Sequence, residues 1–307
     1  MKKRKSPILK AVAGLIFISV ILTVGISYTV SVRLSHPKRM ELNTNPEERT
    51  GLKYEDVEFK SGGNTIRGWY IPSKENRFTV VYAHGYGGNR ENESLSTYDV
   101  IPKINEMGGN FLSFDFSGEG QSEGEMVTVG YREQRDLKSA VEYAYSKSSA
   151  PVITYGISMG AATNIIVSSN SANIAGAIAD SPFSNLKTYL SGSLGKWTHL
   201  PKYPFQPIIL SMEEHLAGVK LDKVNPAGEV EKLKIPMLII HGRGDDIIPY
   251  TESVKIAHRN RNKIKLIIMD NKGHCNSLKS HKRIYLENIG NFIEKVIDNE
   301  KSGKKNN

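Results

Sequence analysis

Residues 151–169 read Pro-Val-Ile-Thr-Tyr-Gly-Ile-Ser-Met-Gly-Ala-Ala-Thr-Asn-Ile-Ile-Val-Ser-Ser, and the predicted architecture follows from this stretch. An apolar run at residues 151–157 indicates a buried strand, and residues 159–169 have a helical composition. Ser158 lies at the junction, with Gly156 and Gly160 two positions away on either side. A direct turn from strand to helix is tight, so these two positions require minimal side chains. The pattern Gly-x-Ser-x-Gly therefore predicts a serine on a strained strand-to-helix turn.

Apolar runs and helical patterns alternate on both sides of this turn. The predicted strands are residues 56–60 and 65–72, which form a hairpin, followed by 78–83, 110–116, 151–157, 174–179, 235–240 and 263–269. The predicted helices are residues 91–107, 129–147, 159–169, 251–260 and 281–299. Such alternation predicts an α/β fold with a mostly parallel sheet and helices on both faces. Residues 181–234 are too long for an ordinary connection, so we expect an inserted lid there.

A glycine-rich loop follows the strand at residues 78–83. It reads His84-Gly85-Tyr86-Gly87-Gly88-Asn89. Glycines let backbone N–H groups turn toward one point, which is what an oxyanion hole requires. The predicted donors are the N–H groups of Tyr86 and of Met159, the residue after the serine. His84 is interpreted as a buried structural residue.

Two later strands end in residues that can titrate. Residues 237–240 lead into a loop with Asp245 and Asp246, and residues 266–269 lead toward His274. A third carboxylate, Asp180, follows the strand at residues 174–179. A serine, a carboxylate and a histidine at strand ends are the groups of nucleophilic acyl transfer. His274 is the predicted base.

Taken together, these motifs resemble the α/β-hydrolase family, close to bacterial esterases, lipases and peptidase-like hydrolases. The resemblance covers about residues 57–300. Asp115 begins a loop similar to the family's Asp-x-Arg-Gly-x-Gly-x-Ser-x-Gly, with Ser117 where arginine is usual. The family pattern His-Gly-x-x-Asp-x-x-Val-Pro implies that Asp245 orients His274. Adjacent side chains in a loop point apart, so Asp246 is interpreted as a solvated or loop-bonding carboxylate, and Asp180 is interpreted as helping to fix the lid entry. The loop that Asp115 begins is structural in relatives, which implies a loop-fixing role for Asp115.

The resemblance implies a serine hydrolase that cleaves a carboxylic ester through an acyl-enzyme on Ser158, with a small-molecule acyl substrate. It implies neither a cofactor nor a metal. A peptidase or an acyltransferase on the same scaffold is the alternative, and a non-catalytic interaction module is the alternative from another class. Cys275, the only cysteine, is interpreted as a buried apolar residue. Aromatic residues of the lid, among them Trp197, form either an apolar acyl site or the lid's own core.

The N-terminus predicts a membrane anchor. Residues 11–32 contain no charged side chain and can cross a bilayer core of about 30 Å. No small-residue cleavage site follows, so we expect an uncleaved helix. The basic cluster at residues 2–5 predicts a cytoplasmic N-terminus and an extracytoplasmic catalytic domain. Residues 1–40 are thus interpreted as tail and anchor, and residues 41–307 as the hydrolase domain with a lid at about residues 181–234.

The net charge of +9 does not indicate a nucleic-acid partner. Eight lysines and arginines precede the first acidic residue, Glu41, so the remaining chain is almost neutral. A nucleic-acid binder carries its positive charge on the folded domain. The charge of this chain belongs with the membrane anchor instead.

Overall fold

The computed structural model describes residues 7–92 and 97–305, and its centre is one eight-stranded sheet. In chain order the strands are β1 (Glu55–Ser61), β2 (Asn64–Ile71), β3 (Phe78–Ala83), β4 (Gly109–Phe114), β5 (Val152–Ile157), β6 (Gly176–Asp180), β7 (Met237–Gly244) and β8 (Ile264–Lys272). Their order across the sheet is β1-β2-β4-β3-β5-β6-β7-β8. β1, β2 and β4 pair antiparallel, and all the other pairs are parallel. The predicted mostly parallel α/β-hydrolase sheet is confirmed.

Helices cover both faces of this sheet. In chain order the α-helices of the described residues are α1 (Pro7–Ser35), α2 (Pro46–Thr50), α3 (Thr97–Glu106), α4 (Glu133–Ser148), α5 (Met159–Ser169), α6 (Leu186–Thr198), α7 (Lys202–Ala217), α8 (Pro226–Glu229), α9 (Thr251–Arg259), α10 (Ser277–Ser280) and α11 (Lys282–Lys305), of which α1 packs against α7 rather than on the sheet. β3, β4 and β5 are buried at every position. Strands covered on both faces are apolar throughout rather than alternating, as their sequences are.

Several element boundaries differ from the sequence predictions. β7 continues to Gly244 and β8 to Lys272, because their pairing persists past a bulge to the pair Gly244 and Lys272. α4 begins at Glu133 rather than at residue 129, since the Glu133 carboxylate accepts hydrogen bonds from the loop N–H groups of Thr128 and Gly130. The helix predicted from residue 91 begins at Thr97, and residues 93–96 lie outside the described part.

The segment predicted as a lid contains α6, α7 and α8. An apolar cluster joins its side chains Phe183, Leu190 and Ile209 to Ala162 and Ile166 of α5. Since α5 starts directly after Ser158, this packing holds the inserted helices beside the serine. The helices α6 and α7 are therefore fixed near the carboxyl ends of the parallel strands.

α1 is long and apolar enough to cross a membrane. Its 29 residues extend the predicted span of residues 11–32 at both ends. The basic cluster at residues 2–5, on which the orientation prediction depends, lies outside the described residues.

Candidate active site

Ser158 occupies the sharp turn between β5 and α5. Its φ of 56° and ψ of −115° are unusual for a residue with a side chain. A Cβ on Gly156 would lie 2.3 Å from the carbonyl oxygen of Gly160, and a Cβ on Gly160 would lie 2.2 Å from that of Ala83. Both distances are shorter than any real Cβ contact, which explains the two glycines of the motif.

The imidazole of His274 lies between Ser158 and Asp245. Its Nε2 is 2.8 Å from the Ser158 Oγ, and its Nδ1 is 2.7 Å from the Asp245 Oδ2. With the proton on Nδ1, the ring donates to the carboxylate and accepts from the serine hydroxyl. The two strand ends and the turn therefore bring together the three side chains that the sequence singled out.

Asp245 is held by more than this one contact. Its Oδ1 accepts hydrogen bonds from the backbone N–H groups of Ile247 and Ile248 at 3.0 and 2.9 Å. Burial alone raises the pKa of the Asp245 carboxyl, but hydrogen bonds from His241 and His274 hold this pKa well below its usual range. The Asp245 side chain is thus ionised at neutral pH.

The two competing carboxylates lie in different surroundings. Asp246 is exposed to solvent. Asp180 is buried and accepts hydrogen bonds from the hydroxyls of Tyr285 and Ser181, both at 2.8 Å. Burial raises the pKa of the Asp180 carboxyl, and these hydrogen bonds oppose that rise. Of the three carboxylates, Asp245 is the one hydrogen-bonded to His274 in the described part of the chain.

The glycine-rich loop lies against the serine. A Cβ on Gly85 would be 3.4 Å from the Ser158 Cβ, so the loop backbone lies next to the serine. Within residues 7–92 and 97–305 the Tyr86 N–H has no acceptor. Met159 is the first residue of α5, and its N–H therefore has no partner inside the helix. Among the described residues neither N–H group is committed to a backbone acceptor, which the predicted role as oxyanion donors requires.

The Tyr86 hydroxyl is engaged elsewhere. It donates a hydrogen bond of 2.7 Å to the carbonyl oxygen of Leu34, at the end of α1. The next residue, Gly87, donates its N–H to the buried Glu119 carboxylate at 2.5 Å. Burial raises the pKa of Glu119 well above its ordinary value. The loop is thus fixed from both sides by groups that sequence reasoning did not assign to it.

His84 and Asp115 are structural, as interpreted from the sequence. His84 is fully buried, donates from Nδ1 to the Gly85 carbonyl and accepts at Nε2 from the Phe116 N–H. Burial lowers the pKa of His84, which favours this neutral state. The Asp115 carboxylate pairs with the buried Arg90 guanidinium and also accepts from the Arg90 N–H. Both side chains fix loops beside the site.

Cys275 follows His274 in the chain, and its side chain contacts the imidazole. Its Sγ is 3.3 Å from the His274 Nε2, and the side chain is buried. Burial raises the pKa of the thiol well above its ordinary value, so the sulfur is protonated and a poor nucleophile. The Ser158 Oγ, at 2.8 Å, lies closer to the same nitrogen.

A cavity of about 290 Å³ opens beside Ser158 and His274. Its wall is mainly apolar and includes Phe183, Tyr189 and Trp197 from the inserted segment. Lid aromatic residues thus contribute to the cavity as well as to the lid's own packing.

Leu34 and Glu213 are among the cavity residues that the sequence analysis did not predict. Leu34 lines the cavity from α1, although the sequence predicted only the end of a membrane anchor at this position. Glu213 contributes a carboxyl from α7 whose Oε1 is buried without a hydrogen-bond partner among the described residues. Burial raises the pKa of Glu213 to about 7. A glutamate in an amphipathic helix gives no signal that it will point inward.

Metal chemistry has no candidate site in residues 7–92 and 97–305. There, no three side chains of histidine, cysteine, aspartate or glutamate converge as metal ligands.

A model of the prolyl oligopeptidase family matches residues 99–300 of the chain. That range includes Ser158, Asp245 and His274 and leaves out the glycine-rich loop and α1.

Individual proteins similar to the chain include two of similar sequence and one of similar structure. The uncharacterized protein YqkD of Bacillus subtilis is 26% identical over 242 residues, which are 77% of this chain and 77% of that protein. YfhR of Escherichia coli O157:H7 is 26% identical over 256 residues, 80% of this chain and 82% of its own. Among solved structures, the Pyrococcus furiosus esterase Pf2001 superposes with a TM-score of 0.72 at 26% identity, covering 85% of this chain and 98% of the esterase. These similarities support a hydrolase that acts on ester or peptide bonds.

Proposed function

The chain belongs to the prolyl oligopeptidase family, and we propose that it is a membrane-anchored serine hydrolase that cleaves carboxylic esters. Ser158 is the nucleophile, His274 the base and Asp245 the residue that orients the base. The observation that carries the proposal is the single imidazole that bridges the Ser158 hydroxyl and the Asp245 carboxylate.

Each group has a defined role in the reaction. His274 Nε2 takes the hydroxyl proton while the Ser158 Oγ bonds to the carbonyl carbon. The N–H groups of Tyr86 and Met159 stabilise the oxyanion that forms. The C–O bond to the alcohol then breaks, and the alcohol leaves with the proton from His274. Water, activated by the same imidazole, releases the acid and regenerates the serine.

Asp245 supports this cycle electrostatically. A carboxylate with a strongly lowered pKa stays ionised when His274 becomes an imidazolium, and it stabilises that charge. It also holds the proton on Nδ1, so that Nε2 faces the serine with a lone pair. Its two bonds from the Ile247 and Ile248 N–H groups keep it in place without the imidazole.

A peptidase is the second candidate, because the matching family is one of peptidases. The chemistry of the site serves both bonds, since both proceed through an acyl-enzyme. The apolar wall of the cavity favours an ester with an apolar acyl group. The similarity to the Pf2001 esterase supports the same choice.

A fluorophosphonate probe tests the nucleophile, because it bonds only to an activated serine. We expect the wild type to be labelled and Ser158→Ala to remain unlabelled. Ser169→Ala is the matched control, since Ser169 is a buried serine at the far end of the same helix. Labelling of Ser158→Ala at the wild-type level would refute the assignment.

A substrate series then separates the two candidates. Rates on p-nitrophenyl esters of increasing acyl length are compared with rates on aminoacyl p-nitroanilides. The ester proposal expects kcat/KM on the best ester to exceed that on the best anilide. A higher kcat/KM on a prolyl anilide would make the protein a peptidase.

The anchor and its orientation belong to the same proposal. We infer that α1 is an uncleaved single-pass anchor with the N-terminus in the cytoplasm and the catalytic domain outside. Its length and apolar character support the membrane span, and the basic residues that precede it support the orientation.

A further inference from the structure

α1 consists of two parts with different surroundings. Its first twenty residues, 7–26, have exposed side chains except for the half-buried Thr23. At 1.5 Å per residue they span about 30 Å, the thickness of a bilayer's hydrocarbon core. Beyond them, Ser27, Ser31 and Ser35 are completely buried. The helix therefore continues past a membrane-length segment into the protein itself.

The end of α1 is bonded to three separate parts of the domain. The Ser31 hydroxyl lies 3.3 Å from the Ile209 carbonyl oxygen of α7, so the small serine lets the two helices approach closely. The last carbonyls of a helix lack donors within the helix. Here the Tyr86 hydroxyl bonds to the Leu34 carbonyl, and the Val127 N–H bonds to the Ser35 carbonyl at 2.8 Å.

The same turn of α1 contributes to the cavity. The Leu34 side chain lines it together with Ser158 and His274. Three further lining residues, Tyr86, Trp197 and Ile247, are each more than a third exposed. Apolar and aromatic side chains with one exposed face favour the boundary between water and lipid.

We propose that α1 is a wall of the substrate pocket and that the pocket takes the acyl chain of an ester-bearing amphiphile from the membrane. This inference rests on the proposed ester hydrolysis and names its substrate class. Leu34 lies eight residues beyond Ile26, about 12 Å along the helix axis. Each headgroup layer is about 5–8 Å thick, so the pocket lies just above it, and a tilt of the helix lowers it further.

A pocket at this height suits one kind of substrate. An amphiphile whose ester lies at the headgroup level has to rise by only a few ångströms, and its apolar chain passes from lipid into an apolar cavity. Ser158 takes the acyl group, the polar alcohol leaves with the proton from His274, and water then releases the fatty acid. A water-soluble ester lacks the chain that would contact Leu34.

The test uses the full chain in vesicles of diether phosphatidylcholine, which contains no ester. The probes are p-nitrophenyl butyrate in the water phase and 4-methylumbelliferyl oleate in the vesicles. Leu34→Trp fills the pocket wall, and Leu22→Trp places the same side chain on the exposed part of α1. We expect Leu34→Trp to lower the ratio of oleate to butyrate hydrolysis, each measured as kcat/KM, at least about fivefold, because the longer acyl chain depends more on the filled wall. Leu22→Trp leaves both unchanged.

A second pair of variants tests the contact between α1 and α7. Ser31→Leu forces a larger side chain against the Ile209 carbonyl, whereas Thr29→Leu makes a similar change on an exposed position. We expect the ratio of oleate to butyrate hydrolysis to fall at least about fivefold in Ser31→Leu only. Circular dichroism checks that both variants are folded.

The outcomes distinguish this inference from the function on which it rests. A wild type that hydrolyses neither ester overturns the ester hydrolase itself. A wild type that hydrolyses the butyrate while Leu34→Trp changes both esters equally, or neither, overturns the membrane substrate and leaves the ester hydrolase intact.

Discussion

The hydroxyl of Tyr285 donates a 2.8 Å hydrogen bond to Oδ2 of Asp180, and this contact occupies the carboxylate that competes with Asp245. Asp180 also accepts from Ser181, so both of its oxygens are engaged by hydroxyls. Tyr285 in turn lies 2.7 Å from the hydroxyl of Tyr155 on β5. The cluster ties α11 to the sheet, which is a structural role.

We therefore expect Asp245→Asn to lower kcat by orders of magnitude, up to about ten-thousand-fold, because asparagine stabilises the wrong tautomer of His274. Asp246→Asn changes an exposed side chain, and Asp180→Asn changes the Tyr285 cluster. Both should keep kcat within about fivefold of the wild type. Steady-state kinetics on p-nitrophenyl butyrate measures this. A mild Asp245→Asn together with a severe Asp180→Asn would reassign the acid and leave Ser158 and His274 in place.

Gly160→Ala should destabilise the protein by about 3 kcal/mol or more. Its Cβ would lie 2.2 Å from the Ala83 carbonyl and 2.5 Å from the His84 carbonyl, and backbone cannot move aside as a flexible side chain can. Gly192→Ala is the control, since nothing lies within 4 Å of its Cβ in the helix α6. That change should stabilise the protein by about 0.5–1 kcal/mol. Urea unfolding measures both, and equal effects would contradict the tight turn.

The topology can be tested in intact bacterial cells. Added proteinase K should digest the catalytic domain and leave a short membrane-bound fragment that carries an N-terminal tag. The tag should also remain on the full-length protein before digestion, because α1 is not cleaved. Lysed cells serve as the control for protease activity. Protection of the domain in intact cells would place it in the cytoplasm, and loss of the tag would make α1 a cleaved signal sequence.

The sequence predicted the sheet and the closeness of three side chains to one another, because both depend on local patterns of residues. Buried parallel strands are apolar runs, and Ser158, Asp245 and His274 each follow such a run. Because these strands are parallel, their carboxyl ends lie at the same end of the sheet, and the three side chains lie there together. The features that the sequence did not predict depend on contacts between segments that are distant in the chain. The Tyr86 hydroxyl bonds to the carbonyl of Leu34, which is 52 residues away in the chain. The residues around these two positions form no pattern that predicts this contact.

The ends of β7 and β8 are a second feature that the sequence did not predict. The strands β7 and β8 continue beyond their apolar runs because the two strands pair again after a bulge at Arg243, where Gly244 pairs with the polar Lys272. Backbone hydrogen bonds do not require apolar side chains, so hydrophobicity underestimates such strands. The consequence for the site is small, since Asp245 still follows the strand directly.

Glu213 should make the stability of the protein fall as the pH rises from about 5 to about 7. Burial raises the pKa of its carboxyl from 4.5 to about 7 in the folded protein. Between these values the folded state keeps a proton that the unfolded state has lost, so raising the pH favours unfolding. The contribution is fully present below pH 4.5 and lost as the pH rises through 7, with an upper bound of about 3 kcal/mol.

Replacing Glu213 with Gln removes this titration and keeps the shape of the side chain. Glu213→Gln should therefore raise Tm relative to the wild type at pH 8.5 and change it much less at pH 5, where both side chains are neutral. Glu214→Gln is the control, because the neighbouring Glu214 has a lowered pKa from its hydrogen bonds to Lys220 and the Leu221 N–H, although burial opposes them. It should lose stability at pH 8.5 instead. If Glu213→Gln gave the same Tm gain at both pH values, the buried carboxyl would not be the group that titrates, and its place in the cavity wall would be purely steric.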